Sequence, residues 1–508
     1  MLFSLPRVTI IIETEKEKND MEIKPLKSEA QALASEYKTI PLSCTLPATH
    51  TPLEIMKKIK AISSHCYMLE SCEDSKAWGR YTFLGFDPTL EITCNDFEIK
   101  ITDADGVMRY KGNPKEYVAK ILERHKSPRF DYLPSFTGGL VGYFGYDYVK
   151  YSEPSLKFKC KDDAHFKDMD LMLFDKVIAF DNYESKMILI CNMQTKDFEN
   201  GWKYAVKELE IMAQIVENGK EAELERPCLK SEFKSLFSES EYCRMVERAK
   251  HYIKEGDIFQ VVLSNRLEAE MTGSLYYTYE RLRKLNPSPY MFYFTSDDIE
   301  IAGASPETLV KLTGKTLYTY PLAGTRPRGK TKEQDEALER ELLADEKELS
   351  EHNMLVDLGR NDLGKISTFG SVEVEKYLNI LRFSHVMHIG STVNGEIRED
   401  KNALDAIEAV LPAGTLSGAP KIRAMEIIDE LENNKRGIYG GAIGYIDFAG
   451  NLDACIAIRI AYKKKGKVYV RSGAGIVADS VPEKENRECI NKAKAVVTAL
   501  EAGKGAEQ

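Results

Sequence analysis

The sequence D-E-K-E-L-S-E-H-N-M-L-V-D-L-G-R-N-D, from Asp345 to Asp362, predicts a helix with two glutamates on one face. Glu348 and Glu351 are three residues apart, which places their Cβ atoms roughly 5–6 Å apart on a helix. The same spacing recurs at Glu485 and Glu488, after Pro482, a residue suited to the first position of a helix. Two helices far apart in the chain therefore each present a pair of carboxylates.

The apolar residues of both helices indicate where these glutamates point. A helical period puts the following residues on one stripe of each helix: Leu338, Leu342, Leu349 and Val356 in the first, and Cys489, Ile490, Ala493, Val497 and Leu500 in the second. The glutamates lie beside these stripes, and Leu355 falls between the first two. We therefore expect a cleft in which four carboxylates bind Mg²⁺ through oxygen atoms alone. The alternative is two acidic faces in contact with water.

The composition is that of a large soluble globular protein. The 508 residues are 43% hydrophobic and 30% charged, and the formal net charge is −10. An acidic chain is a poor partner for nucleic acid or an anionic membrane surface, so we predict no nucleic-acid or membrane partner. No apolar run is long enough to predict a membrane span.

The ten cysteines are scattered singly, without a C-x-x-C pair. This pattern is typical of a reducing compartment and favours neither a disulfide framework nor a zinc site, so we expect a cytoplasmic protein. The opening M-L-F-S-L-P-R lacks the basic leader and the cleavage site of a targeting peptide. We predict residues 1–20 to be a flexible extension, and Met21 could be the true start.

Short strand-like runs and helical patterns alternate along the chain. The patterns predict strands at Tyr81–Leu84, Glu91–Thr93, Val177–Phe180 and Met187–Cys191, a helix at Lys203–Val216, and later a meander at Gly441–Phe448, Leu452–Tyr462 and Lys467–Val477. The polar segment Asn218–Phe237 separates an N-terminal region, residues 21–230, from a second region, residues 238–503. Strands joined by short turns are antiparallel, so the predicted class is α+β.

Three features of the second region suit a small anion. Arg459 is a lone charge in an apolar strand, so it either meets a protein carboxylate or awaits an anionic ligand. The loop Leu411–Lys421 delivers backbone amides to a helix that begins near Pro420. A flexible turn at Arg471–Ile476 would let further amides approach a ligand closely. Beside a cation, these features suit a small dicarboxylate.

Six motifs of the second region resemble the chorismate-utilising enzymes and occur in the order of that family. They are P-L-A-G-T-R-P-R-G (Pro321–Gly329), E-L-S-E-H-N-M-L-V-D-L-G-R-N-D (Glu348–Asp362), H-V-M-H-I (His385–Ile389), G-T-L-S-G-A-P-K (Gly414–Lys421), Y-G-G-A-I-G-Y (Tyr439–Tyr445) and D-S-V-P-E-K-E-N-R-E (Asp479–Glu488). The resemblance implies a sandwich of mainly antiparallel sheets with helices outside. It also implies catalysis by residues 238–503 and regulation through residues 21–230.

The same resemblance implies roles for the residues of the cleft. Glu351 and Glu488 would hold Mg²⁺, and Glu348 and Glu485 would orient its waters. Chorismate would be bound by Gly324, Thr325, Thr415, Tyr439, Arg459, Gly473, Ala474 and Gly475. The catalytic positions would be Glu307, a general acid for the leaving hydroxyl, His388, which assists pyruvate loss, and Gln260. Without its motif, His388 reads equally well as a core histidine.

Two positions separate the branches of this family. Ala323 stands where aminodeoxychorismate synthases carry a lysine nucleophile, and a methyl group cannot attack a substrate. Gln260 stands where isochorismate and salicylate synthases carry a lysine base for water. Both residues favour the branch of lyases that forms anthranilate and pyruvate from chorismate and ammonia, at the start of tryptophan biosynthesis. A silent anion-binding subunit is the alternative of another class.

The sequence lacks a glutaminase motif, because no cysteine lies in a glycine-rich nucleophile elbow. Ammonia would then come from a separate glutamine amidotransferase subunit, which predicts a hetero-oligomer. The resemblance further implies a feedback site for tryptophan formed by Glu70, Ser71, Pro289, Tyr290, Met291, Gly444 and Tyr445. From the short motifs M-L-E-S and N-P-S-P-Y-M alone, a strand end packed on a turn is an equal alternative.

Overall fold

The structure is a computed structural model that describes residues 21–72, 79–382 and 386–501. The predicted extension 1–20, residues 502 and 503 of the second region, and His385 of the H-V-M-H-I motif lie outside the described residues. Within these ranges, no helix combines the length and the apolar character needed to cross a membrane.

Strands and helices alternate along the chain as an α+β protein requires. The strands are β1 (Thr39–Pro47), β2 (Cys66–Glu70), β3 (Tyr81–Phe86), β4 (Leu90–Asn95), β5 (Glu98–Asp103), β6 (Gly106–Lys111), β7 (Gly139–Phe144), β8 (Met169–Phe174), β9 (Lys176–Asp181), β10 (Lys186–Gln194), β11 (Cys228–Leu229), β12 (Lys234–Ser235), β13 (Gln260–Thr272), β14 (Tyr290–Thr295), β15 (Glu300–Ser305), β16 (Thr308–Thr313), β17 (Thr316–Thr319), β18 (Leu322–Pro327), β19 (Glu373–Arg382), β20 (Val386–Glu396), β21 (Gly418–Ala419), β22 (Ala442–Asp447), β23 (Leu452–Ile456), β24 (Ile460–Lys464) and β25 (Lys467–Ile476). The helices are α1 (Lys27–Leu33), α2 (Pro52–Lys60), α3 (Pro114–Glu123), α4 (Phe198–Asn218), α5 (Glu239–Lys254), α6 (Tyr276–Leu285), α7 (Lys332–Ala344), α8 (Glu346–Gly364), α9 (Ala403–Val410), α10 (Lys421–Glu432) and α11 (Pro482–Glu501), with 3₁₀ turns at Tyr146–Tyr151 and Gly414–Leu416.

Among the described residues, these strands form two large sheets whose ladders are antiparallel. The first sheet runs β1-β10-β9-β3-β2-β14-β15-β24-β25-β13-β11, and the second runs β18-β20-β17-β16-β23-β22-β7-β8-β4-β5-β6. Aromatic and aliphatic residues of both sheets, such as Tyr67 and Phe292 of the first and Tyr143 of the second, form a core between them. Separate clusters pack helices on the outer faces. The predicted α+β sandwich with outer helices is confirmed.

Both sheets contain strands from residues 21–230 and from residues 238–501. In the first sheet β2 pairs with β14, and in the second β7 pairs with β22. The polar segment Asn218–Phe237 runs between the two regions and pairs with β13 through β11 and β12. The two predicted regions therefore share one continuous core, and the boundary divides the chain without dividing the sandwich.

One predicted strand, Leu452–Tyr462, is wrong because the chain changes sheets within it. Its first half is β23 of the second sheet, and its second half is β24 of the first. Arg459 lies at the crossing with a φ of +50°, which breaks the alternation of Ile456, Ile458 and Ile460. Local β pattern cannot reveal this break, because the residues on both sides of the crossing are apolar.

A buried ionic cluster joins β13, β25 and α10. Glu432 is 1% exposed, and it accepts hydrogen bonds from Arg436 Nε at 3.0 Å and Arg471 Nη2 at 2.8 Å. Its second oxygen accepts from the Ser264 amide at 2.7 Å. Burial acts to raise the pKa of Glu432, but the two guanidinium groups hold that pKa below its usual value. The carboxylate is therefore ionised and neutralised by its partners.

We expect Glu432→Gln to lower the free energy of unfolding by about 3–5 kcal/mol, because it leaves two buried guanidinium groups without an anion. Denaturant titration followed by circular dichroism measures the change. The control is Glu430→Gln, on the exposed side of the same helix, where loss of its contacts with Arg248 and Tyr252 should cost below about 1 kcal/mol. Equal losses in the two variants would contradict a structural role for the buried cluster.

Candidate active site

The predicted first helix is two helices, α7 and α8, that meet at Asp345. The Asp345 carboxylate caps α8 by accepting from the amides of Lys347 at 3.1 Å and Glu348 at 3.2 Å. Arg326 Nη2, on β18, donates to the same carboxylate at 2.9 Å. This cap fixes the first turn of α8, from which Glu348 and Glu351 project.

Helix α11 begins at Pro482, as predicted, and carries Glu485 and Glu488 in its first two turns. Its buried side is Asn486, Cys489, Ala493, Val496, Ala499 and Leu500. Ile490, which the sequence pattern placed on the buried stripe, is 58% exposed, so this part of the prediction is wrong. Val496, rather than Ile490, belongs to the buried face of the helix, and Glu488 lies outside that face, beside the cleft.

The four glutamates lie close enough for Glu351 and Glu485 to be affected by the charges of the other two. Burial raises the pKa of Glu351, and Glu348 and Glu488 raise it further. Burial likewise raises the pKa of Glu485, with Glu488 acting in the same direction. Lys347 acts on both carboxyls in the opposite direction. Two acidic pairs from distant segments thus share one electrostatic environment.

The carboxylate oxygens of the four glutamates are not gathered as closely as the ligands of a preformed metal site. Among the described residues, the one cluster of three acidic or imidazole groups with ligand atoms within 4.8 Å of one another lies elsewhere, at His65, Glu91 and Asp297. Lys492, one turn after Glu488, places its Nζ 2.7 Å from the Glu488 carboxylate. The pattern had not singled out Lys492, although its i,i+4 spacing from Glu488 is a recognisable ion-pair signal.

The second sheet brings Gly324, Thr325 and His388 to the same place. Gly324 has a φ of +65°, and a Cβ atom there would lie 3.3 Å from Glu348 Oε2. His388 Nδ1 lies 2.8 Å from the Gly324 carbonyl oxygen and 3.1 Å from Thr325 Oγ1. A carbonyl only accepts, so Nδ1 carries the proton and Nε2 is the basic nitrogen of the neutral ring.

Arg459 and Glu307 lie close enough to interact, and Arg459 lines a cavity together with Glu488. Arg459 Nη1 donates to the neutral amide oxygen of Asn286 at 3.2 Å, and among the described residues no carboxylate lies within ion-pair distance of it. Burial lowers the pKa of Arg459, while Glu307 acts to raise it. Of the two sequence alternatives, this environment favours a guanidinium that awaits an anionic ligand.

Glu307 lies where a carboxyl is easily protonated. Burial raises its pKa, and a hydrogen bond from Thr415 Oγ1 at 3.1 Å opposes the rise. Thr415 belongs to the 3₁₀ turn of the loop Leu411–Lys421. The helix after this loop begins at Lys421, and Pro420 is its N-cap rather than its first residue.

The predicted flexible turn at Arg471–Ile476 is wrong, because these residues are the last part of β25. The glycines of the strand allow close packing on the side facing the cleft. A Cβ atom at Gly475 would lie 2.7 Å from Gln260 Nε2, and one at Gly473 would lie 3.0 Å from the Tyr439 hydroxyl. Ala474 points into the helix-covered core, so only its backbone faces the cleft.

A cavity of about 520 Å³ opens beside these residues. It is lined by Arg459, Glu488 and Lys492, together with Asn286, Lys484, Arg487, Asn491 and Ala495. Four of the lining residues, Arg459, Lys484, Arg487 and Lys492, are basic, and Glu488 is the one acidic residue among them. The cavity therefore favours a small anion, with Glu488 as its acidic contact.

The residues predicted to bind tryptophan also converge, and they do so at the C-terminal end of β2, near Glu70. The register pairs Met291 with Glu70, and the Cys72 amide donates to the Ser288 carbonyl at 3.1 Å, which brings Ser71 beside Pro289. The Tyr290 hydroxyl donates to Asp453 Oδ1 at 2.8 Å.

The second sheet completes this group, since Tyr445 and Gly444 pair with Asp453 and Ala454. Sequence reasoning missed three partners here. Arg283 and Tyr279 donate to the Glu70 carboxylate, and Asp453 joins Tyr290 to the second sheet. The sequence gives little indication that these three residues contribute to a site, because each lies in an ordinary helix or strand pattern.

The description "chorismate binding enzyme" belongs to a family model that matches residues 64–498. An antiparallel sandwich with an acidic cleft opposite an arginine, matched over this range, defines the class, and the chain belongs to the chorismate-binding enzymes. Within that class it is similar to anthranilate synthase component 1 of Acetivibrio thermocellus, with 45% identity over 94% of this chain and 98% of the relative. The same protein of Aquifex aeolicus is 43% identical, again over 94% and 98%.

Solved structures agree with this assignment. Anthranilate synthase component I from Streptococcus pneumoniae superposes with a TM-score of 0.74 at 38% identity, over 82% of this chain and 92% of that one. The menaquinone-specific isochorismate synthase of Escherichia coli superposes with a TM-score of 0.67 at 18% identity, over 93% and 98%. The second likeness shows the fold alone.

We expect Arg459→Gln to raise the pKa of His388. Burial lowers that pKa below its usual value, and the nearby guanidinium lowers it further, so removing the positive charge favours the imidazolium. Titration of ¹³C-labelled histidine by NMR measures the shift, with His388→Gln to assign the signal. Arg487→Gln, on the same cavity rim, is the matched control. A His388 titration that is equal in the two arginine variants would show that Arg459 is too distant to act on the ring.

Proposed function

We propose that this protein is a lyase that converts chorismate and ammonia to anthranilate and pyruvate, the first step of tryptophan biosynthesis. The observation that carries the proposal is that two neighbouring acidic pairs adjoin a cavity lined by Arg459, a half-buried cation with no carboxylate within ion-pair distance among the described residues. Its support comes from the anthranilate synthase component 1 relatives, which match nearly the whole chain.

The donor set fits the magnesium ion that the resemblance implies. All four candidate side chains offer oxygen only, and burial together with the neighbouring glutamates raises the pKa values of Glu351 and Glu485, an effect that a bound cation would oppose. Glu351 and Glu488 would hold the ion, with Glu348 and Glu485 orienting its waters. When bound, Mg²⁺ supplies the positive charge that allows a dianionic substrate to lie beside four glutamates.

The remaining residues bind and orient the substrate. Arg459 offers a charged, partly desolvated hydrogen-bond donor for a carboxylate, and the Gly473–Gly475 backbone and Tyr439 line the adjoining wall. Gly324 and Thr325 fix the position of His388, and Thr415 fixes that of Glu307. The loop and strands thus position the reacting groups before substrate arrives.

Two side chains are suited to move protons. Glu307 has a raised pKa, so its carboxyl can be neutral and can protonate the hydroxyl that leaves the ring as ammonia adds. His388 has a lowered pKa, and with Nδ1 donating to Gly324 its Nε2 can accept a proton. This protonation state suits assistance in the later loss of pyruvate and the ring proton.

The nucleophile is ammonia rather than water or lysine. Gln260 is buried and neutral at the position where a lysine base would activate water, and its amide lies over Gly475. Ala323 lies on β18 and offers no nucleophile. These two residues support anthranilate over isochorismate or aminodeoxychorismate as the product.

We further propose a separate glutamine amidotransferase subunit as the source of ammonia, forming a hetero-oligomer. The ten cysteines are free thiols, and two of them, Cys72 and Cys228, are exposed, which favours a reducing, cytoplasmic location. Feedback inhibition by tryptophan is supported by the convergence of Glu70, Tyr290 and Met291 at the end of β2.

The product decides between the candidate activities. The protein is mixed with chorismate, Mg²⁺ and ammonium at mildly alkaline pH, and anthranilate fluorescence and pyruvate are followed. We expect both to appear in equal amounts. An aminated product without pyruvate would favour an aminodeoxychorismate synthase, and no product would favour a silent anion-binding subunit.

We expect Glu351→Gln to reduce kcat/KM by at least ~100-fold, because the amide weakens the proposed magnesium site. Initial rates are measured over a range of Mg²⁺ concentrations. The control is Glu346→Gln, at the exposed start of the same helix, which should behave as the parent protein. Normal activity with an unchanged magnesium dependence in Glu351→Gln would refute the metal assignment.

We expect Ser71→Phe to relieve inhibition by tryptophan, since an aromatic ring would fill the space beside Pro289 at the end of β2. Anthranilate formation is measured as tryptophan is increased. Ser64→Phe, at an exposed position just before the start of β2, should keep the parental inhibition curve. An unchanged curve for Ser71→Phe would argue against a tryptophan site there.

A further inference from the structure

A second cluster of metal-type ligands lies away from the cleft, at His65, Glu91 and Asp297. His65 precedes β2, Glu91 lies on β4, and Asp297 lies in the turn between β14 and β15. One ligand atom from each residue lies within 4.8 Å of the other two. The cluster therefore joins the first sheet to the second, at the end of β2 opposite Glu70.

Glu91 is poorly compensated by the protein. Its residue is 6% exposed, and its Oε1 atom is buried without a hydrogen-bond donor. Lys167 Nζ lies 3.5 Å from this oxygen but donates to Asp170 at 2.9 Å. A buried carboxylate oxygen without a donor costs free energy unless another group binds it. Burial and the nearby Asp170 accordingly raise the pKa of Glu91.

The charges around this oxygen leave room for a dication. Four carboxylates gather here, those of Glu91, Asp170, Asp297 and Asp298. The lysines in ion-pair contact with them are Lys167, which meets Glu91, Asp170 and Asp298, and Lys464, which meets Asp298 at 3.2 Å. Once His65 is neutral and all four carboxylates are ionised, as metal binding would require, the cluster carries two negative charges in excess. One divalent cation would balance them.

The ligand types select the metal class. An imidazole nitrogen with two carboxylate oxygens suits zinc and its first-row neighbours, whereas Mg²⁺ and Ca²⁺ prefer oxygen alone. Asp297 also lines a cavity of about 610 Å³ beside the cluster, which leaves space for water ligands. His65 Nε2 and Asp297 Oδ1 already lie 2.9 Å apart, so little movement is needed to turn both toward one ion.

We propose that His65, Glu91 and Asp297 form a binding site for one divalent transition-metal ion of the Zn²⁺ class, distinct from the magnesium cleft. The ion takes the place of the proton that His65 and Asp297 share in their ion pair. It ties the β14–β15 turn and the start of β2 to β4. The site is structural, because it lies outside the catalytic cleft and would add a link between β4 and the two segments that β2–β14 pairing already joins.

The test uses the full-length protein, stripped with a chelator and dialysed. Zn²⁺ is titrated by calorimetry and Co²⁺ by absorption spectroscopy, both in millimolar MgCl₂ so that the oxygen-only cleft is not the site observed. We expect one equivalent of either metal to bind. The Co²⁺ spectrum should show d–d bands without a thiolate charge-transfer band, because none of the three ligands is a cysteine.

Two variants and one control locate the site. His65→Gln and Asp297→Asn should each weaken Zn²⁺ binding at least ~tenfold, since each removes a ligand. His251→Gln, an exposed histidine on α5 near Glu255, should bind as the parent does. Asp297 lies in an exposed turn, so its variant tests the site even where His65→Gln fails to fold.

The proposal is overturned by any of three results. If the parent protein takes up no Zn²⁺, the cluster is an ion pair only. A thiolate band in the Co²⁺ spectrum would place the metal on cysteine. Unchanged binding in Asp297→Asn would place the metal on other groups. None of these measurements depends on catalytic activity, so the result is independent of the proposed function.

Discussion

The ion cluster of Glu432, Arg436 and Arg471 is the constraint on which the second region of the chain depends. Arg436 donates to the carbonyls of Leu416 at 2.6 Å and Val262 at 2.7 Å. A single buried carboxylate thereby fixes the loop Leu411–Lys421, strand β13 and strand β25 relative to one another. Removing any one of these side chains would leave an unpaired charge buried in the core, so the segments that they join cannot shift independently.

The cleft is built where the two sheets exchange strands. Arg459 lies at the crossing from β23 to β24, and it lines a cavity together with residues of helix α11. That helix brings both Glu488 and Lys492 to the cavity, where the two side chains form an ion pair. Acidic and basic groups therefore lie next to each other beside Arg459, which allows an anion and a cation to be held side by side.

Sequence pattern succeeded where the signal is local. Carboxylates three residues apart on a helix, the lone arginine in an apolar strand and the start of α11 at Pro482 were all readable, and the structure brings them to one cleft. Sequence pattern failed where a contact between distant residues decides the secondary structure. Asp345 divides one predicted helix into two because Arg326 of β18 binds its carboxylate, and Arg471–Ile476 is a strand because β13 pairs with it.

The sequence by itself determined the α+β class, the antiparallel pairing and the identity of the acidic pairs, because periodicity and short turns are properties of neighbouring residues. Only the tertiary structure decided that strands from both halves of the chain share each sheet, that Ile490 is exposed, and that His65, Glu91 and Asp297 meet. These outcomes depend on which surfaces are buried together, and the free energy of burial is set by partners that no local pattern specifies.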